Sequence, residues 1–84
     1  MSACATQSFN NVSSSAWTCL IQKAAGYGIT IGDYKGQASK DGFTLTWNYD
    51  PNAQTLELQC TDSPWWASCG MINGKIHDLV EGCM

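Results

Sequence analysis

The segment "FTLTWNYD", residues 43–50, constrains the fold more strongly than any other part of the chain. Large apolar side chains occupy every second position: Phe43, Leu45, Trp47 and Tyr49. Polar residues fill the positions between them, which is the two-residue period of a β-strand with one buried face and one wet face. The segment therefore predicts a strand whose apolar face must be covered by another layer.

A second strand with the same pattern follows after a short turn. The turn is "DPNAQ", in which Asp, Pro and Asn each favour turn geometry, and the strand is "TLELQC", residues 55–60. Its apolar face carries Leu56, Leu58 and Cys60. The two strands predict a hairpin, and residues 34–39 are expected to pair with the other edge of the first strand. Together they form a three-stranded antiparallel meander.

Two helices are predicted where apolar side chains recur at steps of three and four residues. The first spans about residues 5–25, and the second runs from Ser68 or Gly70 to about Glu81. Each helix has one apolar stripe and the sheet has one apolar face, so both helices are expected on one face of the sheet. Residues 1–84 are thus predicted to form a single α+β domain, a two-layer sandwich in the order helix, three-stranded antiparallel meander, helix.

The charge balance excludes several classes of partner. The chain has four lysines, no arginine and a net charge of −3, and its basic residues are scattered. Nucleic-acid binding requires clustered Lys and Arg, and docking on anionic membranes requires the same, so we expect neither partner. An apolar fraction of 44% with 13% charged residues is typical of a globular chain.

The five cysteines cannot all pair within one chain. The N-terminal segment lacks the positive start and apolar run of a signal peptide, so we expect free, reduced cysteines and a cytoplasmic location. A signal removed beforehand would leave secretion open. If disulfides do form, Cys60 with Cys69 is feasible, and so is Cys4 or Cys19 with Cys83 when the helices lie side by side.

Cys69 is the one residue that suggests chemistry. It falls near the start of the second predicted helix, where exposed backbone amides and the helix dipole favour a thiolate. A thiol-dependent enzyme or redox sensor centred on Cys69 is therefore an alternative function, although a small buried apolar cysteine is the more ordinary role. The only histidine, His77, is expected to be solvated at the surface. No spacing of His and Cys predicts a metal site, and no motif predicts a nucleotide or other cofactor.

The segment "TDSPWWASCG", residues 61–70, is the best candidate for a binding surface. It is the corner between a strand and a helix, and adjacent tryptophans at such a corner point in different directions. Two arrangements are open: both rings plug the open end of the small core, or one ring closes the core and the other stays near the surface. Trp65 and Trp66, with Pro64 and Met71, are the predicted contact residues of a non-enzymatic module that binds a protein partner or forms a homodimer.

Two further routes to binding are open. An exposed edge strand, residues 34–39 or 55–60, offers strand addition to a partner. A small-ligand pocket between sheet and helices, lined by Trp17, Phe43 and Trp47, ranks last because a cavity would remove much of the core in so small a domain. Trp17 and Trp47 are otherwise expected to be core residues.

The segment "TLELQCTDSPWW" leading into "INGKIHDLVEGC" resembles small stand-alone bacterial proteins of unknown function. In those proteins a strand, a proline-aromatic corner and a closing amphipathic helix follow one another in this order. The resemblance covers the C-terminal half of the chain and implies a bacterial setting. It implies no activity, cofactor or site residue.

Overall fold

The structure is a computed structural model that describes residues 3–84. Its elements in chain order are β1 (Gln7–Phe9), α1 (Ser14–Gly26), β2 (Lys35–Lys40), β3 (Phe43–Asp50), β4 (Thr55–Asp62) and α2 (Cys69–Glu81). The predicted α+β class and the β2-β3-β4 meander are both confirmed. All strand pairs are antiparallel, and the strand order across the sheet is β1-β4-β3-β2.

The register of the meander places the predicted apolar side chains on one face. Tyr49 lies opposite Leu56, and Trp47 lies opposite Leu58. Tyr49 and Trp47 are buried, and the indole Nε1 of Trp47 donates a hydrogen bond to the carbonyl oxygen of Asp33 at 2.9 Å. Burying a tryptophan is favourable when its N–H has such an acceptor.

The N-terminal region differs from its prediction. Instead of one helix over residues 5–25, residues 7–9 form strand β1, and helix α1 begins only at Ser14. The hydroxyl of Ser13 accepts a hydrogen bond from the backbone N–H of Ala16, which caps the helix. Phe9 and Val12 fit a helical stripe by spacing, but Phe9 pairs with Leu56 across the sheet instead.

Strand β1 also changes which strands lie at the edges. It pairs with β4, so residues 55–60 are not an edge, and the prediction of strand addition there is wrong. Strand β2 is an edge strand as predicted, and β1 is the other.

Both helices pack on the apolar face of the sheet. The ring of Trp17 in α1 stacks on that of Tyr49, with 4.6 Å between centroids, and the Tyr49 hydroxyl donates to the carbonyl oxygen of Val12 at 2.6 Å. Helix α2 contributes three buried side chains: Ile72, Ile76 and Val80. The opposite face of the sheet carries the polar side chains Gln37, Thr46, Asn48 and Glu57.

Two disulfides contradict the prediction of free cysteines. Cys4 is bonded to Cys69 and Cys19 to Cys83, with Cα–Cα distances of 5.3 and 5.7 Å. The second bond was one of the feasible pairings, because the two helices do lie side by side, but the first was not foreseen. Cys60 is free and buried.

The disulfides bear on the predicted location as well. Disulfides persist in oxidising compartments and are rare in a reducing cytoplasm, so they weigh against a cytoplasmic location. Within residues 3–84, no helix is both long enough and apolar enough to cross a membrane.

Candidate functional site

The Pro-Trp-Trp corner is a tight turn. The backbone N–H of Ala67 donates to the carbonyl oxygen of Pro64 at 3.0 Å, which places Trp65 and Trp66 at the two central positions. Central residues of such a turn point away from its closing hydrogen bond. Trp65 is 89% exposed and Trp66 is 60% exposed.

Neither tryptophan closes the core. The prediction that one of them would do so is wrong, and so is the alternative in which both are buried. The small residues on either side, Ser63 and Ala67, are buried instead. Because the residues before and after the turn are anchored in the core, the two residues at its tip project into solvent.

The turn is braced against the connection between β2 and β3. Gly42 has a φ of +86°, and a Cβ built on it would lie 3.2 Å from Cγ of Pro64, so glycine allows the proline to sit close. The ring of Trp66 meets that of Phe43 edge to face, with 5.7 Å between centroids. Pro64 and Trp66 are therefore held by packing, while Trp65 projects furthest into solvent.

Met71 extends the apolar surface onto α2. It lies in the first turn of that helix, is 52% exposed, and its backbone N–H donates to the hydroxyl of the capping residue Ser68. Residues 63–71 contain no charged side chain. We call Pro64, Trp65, Trp66 and Met71 together the tryptophan surface.

Beside the tryptophan surface, the layer between sheet and helices opens into an apolar cleft of about 510 Å³. Side chains from the sheet and from both helices form its walls, among them Trp17, Phe43, Leu45, Leu58, Ile72 and Leu79. Phe43 and Met71 border both the cleft and the tryptophan surface. The three residues proposed from sequence for a pocket, Trp17, Phe43 and Trp47, all line it, although such a pocket was ranked last.

Three of the four lysines also line the cleft: Lys23, Lys40 and Lys75. The Lys75 ammonium lies 5.4 Å from the centroid of the Tyr27 ring. The pKa of Lys75 is raised, mainly by its hydrogen bond with Tyr27 and to a smaller extent by the charge of Tyr27. The side chain of Lys40 packs against Gly28, because a Cβ built on Gly28 would lie only 2.9 Å from Cε of Lys40. Sequence reasoning missed these residues, because the lysines are scattered along the chain and only the fold brings them together.

The sulfur atoms do not provide an exposed thiolate. Cys69, the predicted reactive thiol, is bonded to Cys4. The free thiol of Cys60 is buried and its Sγ lies 3.1 Å from the carbonyl oxygen of Asp62, to which it donates. Burial raises the pKa of Cys60, more than its backbone hydrogen bonds lower it. An attacking thiolate at Cys69 would exist only after reduction.

His77 lies where the sequence predicts it, at the surface. Its Nε2 is 3.9 Å from a carboxylate oxygen of Glu81, one turn further along α2. Across the part of the chain that the structure describes, no group of three or more His, Cys, Asp or Glu residues is placed to hold a metal ion.

The chain matches no family model, no curated protein and no solved structure. The resemblance of its C-terminal half to small bacterial proteins therefore stays a prediction.

Proposed function

We propose that the protein is a non-enzymatic binding module whose contact surface is the tryptophan surface, with a second copy of the chain as the partner. The observation that supports this is the exposure of Trp65 and Trp66 side by side at the tip of one turn. Tryptophan is the residue most enriched among those that dominate binding energy, and leaving two of them in water is unfavourable unless a partner covers them.

The surroundings of the two rings suit a protein contact. The centre of an interface is depleted of charge, and residues 63–71 carry none. The hydrogen bond across the turn and the packing of Pro64 against Gly42 hold the rings in place before binding, which lowers the entropy lost on association. A two-fold axis through the turn would pack each copy's tryptophan surface on the other.

Sedimentation and light scattering across a concentration series test the proposal. We expect the wild type to self-associate, and Trp65→Ala and Trp66→Ala each to weaken association about tenfold or more, since residues at the centre of an interface contribute about 2 kcal/mol or more. The matched control is Met84→Ala, which truncates an exposed side chain away from the turn.

Circular dichroism must show that the tryptophan variants keep the fold. Association that is equally strong in Trp65→Ala, Trp66→Ala and Met84→Ala would contradict the proposal. A wild type that stays monomeric at every concentration would rule out the second copy.

A redox role of Cys69 is a second candidate, favoured by where the Cys4–Cys69 bond lies. It joins the N-terminal segment, which has only a three-residue strand, to the first residue of α2, whereas Cys19–Cys83 ties the two helices together. Cys69 is half buried, as are Cys19 and Cys83, so the difference between the bonds lies in what they join. Reduction by a dithiol would break the S–S bond and give two thiols while the reductant is oxidised to its own disulfide. We then expect Cys4–Cys69 to be reduced at a higher potential than Cys19–Cys83, as measured by thiol labelling in redox buffers. Equal resistance of both bonds, below about −300 mV, would dismiss this role.

We also propose that the protein works in an oxidising compartment of a bacterium. The disulfides support the compartment, and the resemblance of the C-terminal half implies the bacterial setting. Thiol counting under denaturing conditions, on protein taken from its native source, tests this. One free thiol per chain is expected, and five would contradict it.

A further inference from the structure

We propose that the apolar cleft binds a single-chain amphiphile with an anionic head group, namely a long-chain carboxylate. The tail would lie between the sheet and the helices, and the carboxylate would meet the lysines that line the cleft. This site adjoins the tryptophan surface, with which it shares Met71, but Trp65 and Trp66 do not line it.

The cleft has the size and chemistry of a ligand site. Its volume of about 510 Å³ falls within the range of small-molecule pockets, which runs from about 300 to 1,000 Å³. Leu45 and Leu58 lie in the middle of the two central strands and face the helices, yet both stay only half buried. Apolar side chains at such positions are normally covered, so the cleft leaves a surface that an apolar tail can cover.

The charges around the cleft favour an anion. Lys23, Lys40 and Lys75 line it, and Asp41 is the only carboxylate that does. In residues 3–84 the one ion pair closer than 4 Å is between His77 and Glu81, so none of these lysines is in direct contact with a carboxylate, although the charge of Asp78 acts on Lys75 from further away. A protein with a net charge of −3 thus gathers three of its four lysines around this apolar cleft.

The first experiment is calorimetric titration with octanoate, decanoate and dodecanoate, each below its micelle-forming concentration. We expect one ligand per chain and an affinity that rises roughly threefold to fourfold for each added methylene, because each one buries a further apolar group. Fluorescence should report the same binding, since Trp17 and Trp47 line the cleft.

A change of the ligand's head group and changes of the cleft lysines separate the effect of charge on binding from that of the apolar tail. Dodecyltrimethylammonium has a tail of similar length with the opposite charge, and we expect it to bind about tenfold more weakly than dodecanoate. Lys40→Gln with Lys75→Gln should weaken dodecanoate about fivefold to tenfold, since each exposed charge contributes about twofold to fivefold. Lys35→Gln is the matched control, because Lys35 is the lysine that does not line the cleft.

A filling variant tests the position. Leu58→Trp should place an indole in the cleft and abolish dodecanoate binding, and Ala24→Phe should do the same from α1 if the first variant does not fold. Trp65→Ala should bind dodecanoate like the wild type, which separates this proposal from the self-association proposed above.

Several results would overturn the proposal. They are no binding of dodecanoate to the monomer, equal binding of the cationic amphiphile, or binding unchanged by both filling variants. Binding that appears only when Trp66→Ala abolishes self-association would also overturn it, because a second copy of the chain would then be the occupant of the cleft in the wild type. Tighter binding of a zwitterionic lysophospholipid than of dodecanoate would show that the head group is not a carboxylate.

Discussion

The apolar layer between sheet and helices has two ends that differ in packing. At the end near the β3–β4 turn, Val12 and Tyr49 are 0% and 3% exposed, and Leu56, also 0% exposed, lies where this end meets the cleft. At the other end, near the β2–β3 turn, Leu45 and Leu58 are only half buried and line the apolar cleft. We call these the closed end and the open end. Both are built from the same alternation of apolar residues along β3 and β4.

The closed end is closed by contacts that come from elsewhere in the chain. The Tyr49 hydroxyl bonds the backbone of Val12, the Trp17 ring stacks on Tyr49, and Cys19–Cys83 joins the two helices. At the open end, the ammonium of Lys75 in α2 lies over the ring of Tyr27, the residue that caps α1. The difference teaches that an apolar strand face specifies a surface to be covered, while the covering elements decide whether it becomes core or cleft.

Removing the disulfides gives the largest expected effect. The double variants Cys19→Ala/Cys83→Ala and Cys4→Ala/Cys69→Ala open loops of nearly equal length, with separations of 64 and 65 residues. Loop-closure entropy then predicts a loss of about 4 kcal/mol in the free energy of unfolding for each pair. Urea denaturation measures the free energy of unfolding of each double variant against the wild type.

Because the loops match, a difference between the two double variants sharpens the comparison of the ends. A loss that is much larger for Cys19–Cys83 would mean that this bond holds the closed end together beyond its effect on the unfolded chain. A loss below about 1 kcal/mol for either pair would contradict the bond's contribution to stability.

Leucine truncation should separate the two ends within one strand. Leu56 and Leu58 both face the helices from β4 and both border the cleft, but only Leu56 is fully buried. Leu56→Ala should cost about 3 to 4 kcal/mol of unfolding free energy, since truncation leaves a cavity in packed surroundings. Leu58→Ala should cost about 1 to 2 kcal/mol, because the methyl groups it loses already face an open cleft. Equal costs in urea denaturation would break the distinction between closed and open end.

Alkaline pH should produce the smallest and most gradual effect. Burial, followed by the charges of Tyr34 and Asp50, raises the pKa of Tyr49 above its ordinary 10.0, and burial raises the pKa of Cys60 above 9.0. The unfolded chain therefore loses these protons first as the pH rises. The stability that Tyr49 and Cys60 contribute in their protonated forms is complete below about pH 9. It is lost as the pH rises through the pKa values of these two groups in the folded state.

Two variants show how much of the stability lost at alkaline pH belongs to each residue. Cys60→Ala should remove the part that begins near pH 9, and Tyr49→Phe the part that begins near pH 10, although the second also leaves the Val12 carbonyl unpaired and lowers stability at pH 7. Thermal unfolding followed from pH 7 to 11 measures both. A wild-type stability that stays flat above pH 10 would show that Tyr49 is not held protonated at the closed end.

Much of the fold was predictable because its patterns are local. The alternation over residues 43–60 predicts the hairpin, and the stripe that includes Ile72 and Ile76 predicts α2. The N-terminal helix was extended too far because Phe9 and Val12 satisfy helical spacing and strand burial equally well. Only the pairing of β1 with β4 distinguishes the two, and no spacing within residues 5–12 reveals it.

The candidate site was predictable only in part. Composition and order pointed to residues 64–66, but their exposure depends on how the turn from Pro64 to Ala67 closes. The rim of the cleft could not be predicted, because Lys23, Lys40 and Lys75 belong to three separate elements and have no common spacing.

The sequence by itself determined the secondary structure of the meander and α2, the apolar face of each, and the charge that disfavours nucleic acids. These properties follow from neighbours within a few residues, where sterics and periodicity act directly. Only the tertiary structure decided the fourth strand, the Cys4–Cys69 pairing, the outward position of Trp65 and the open cleft. Each of these depends on contacts between residues far apart in the chain, and the free energy of such contacts is set by what the folded chain brings together.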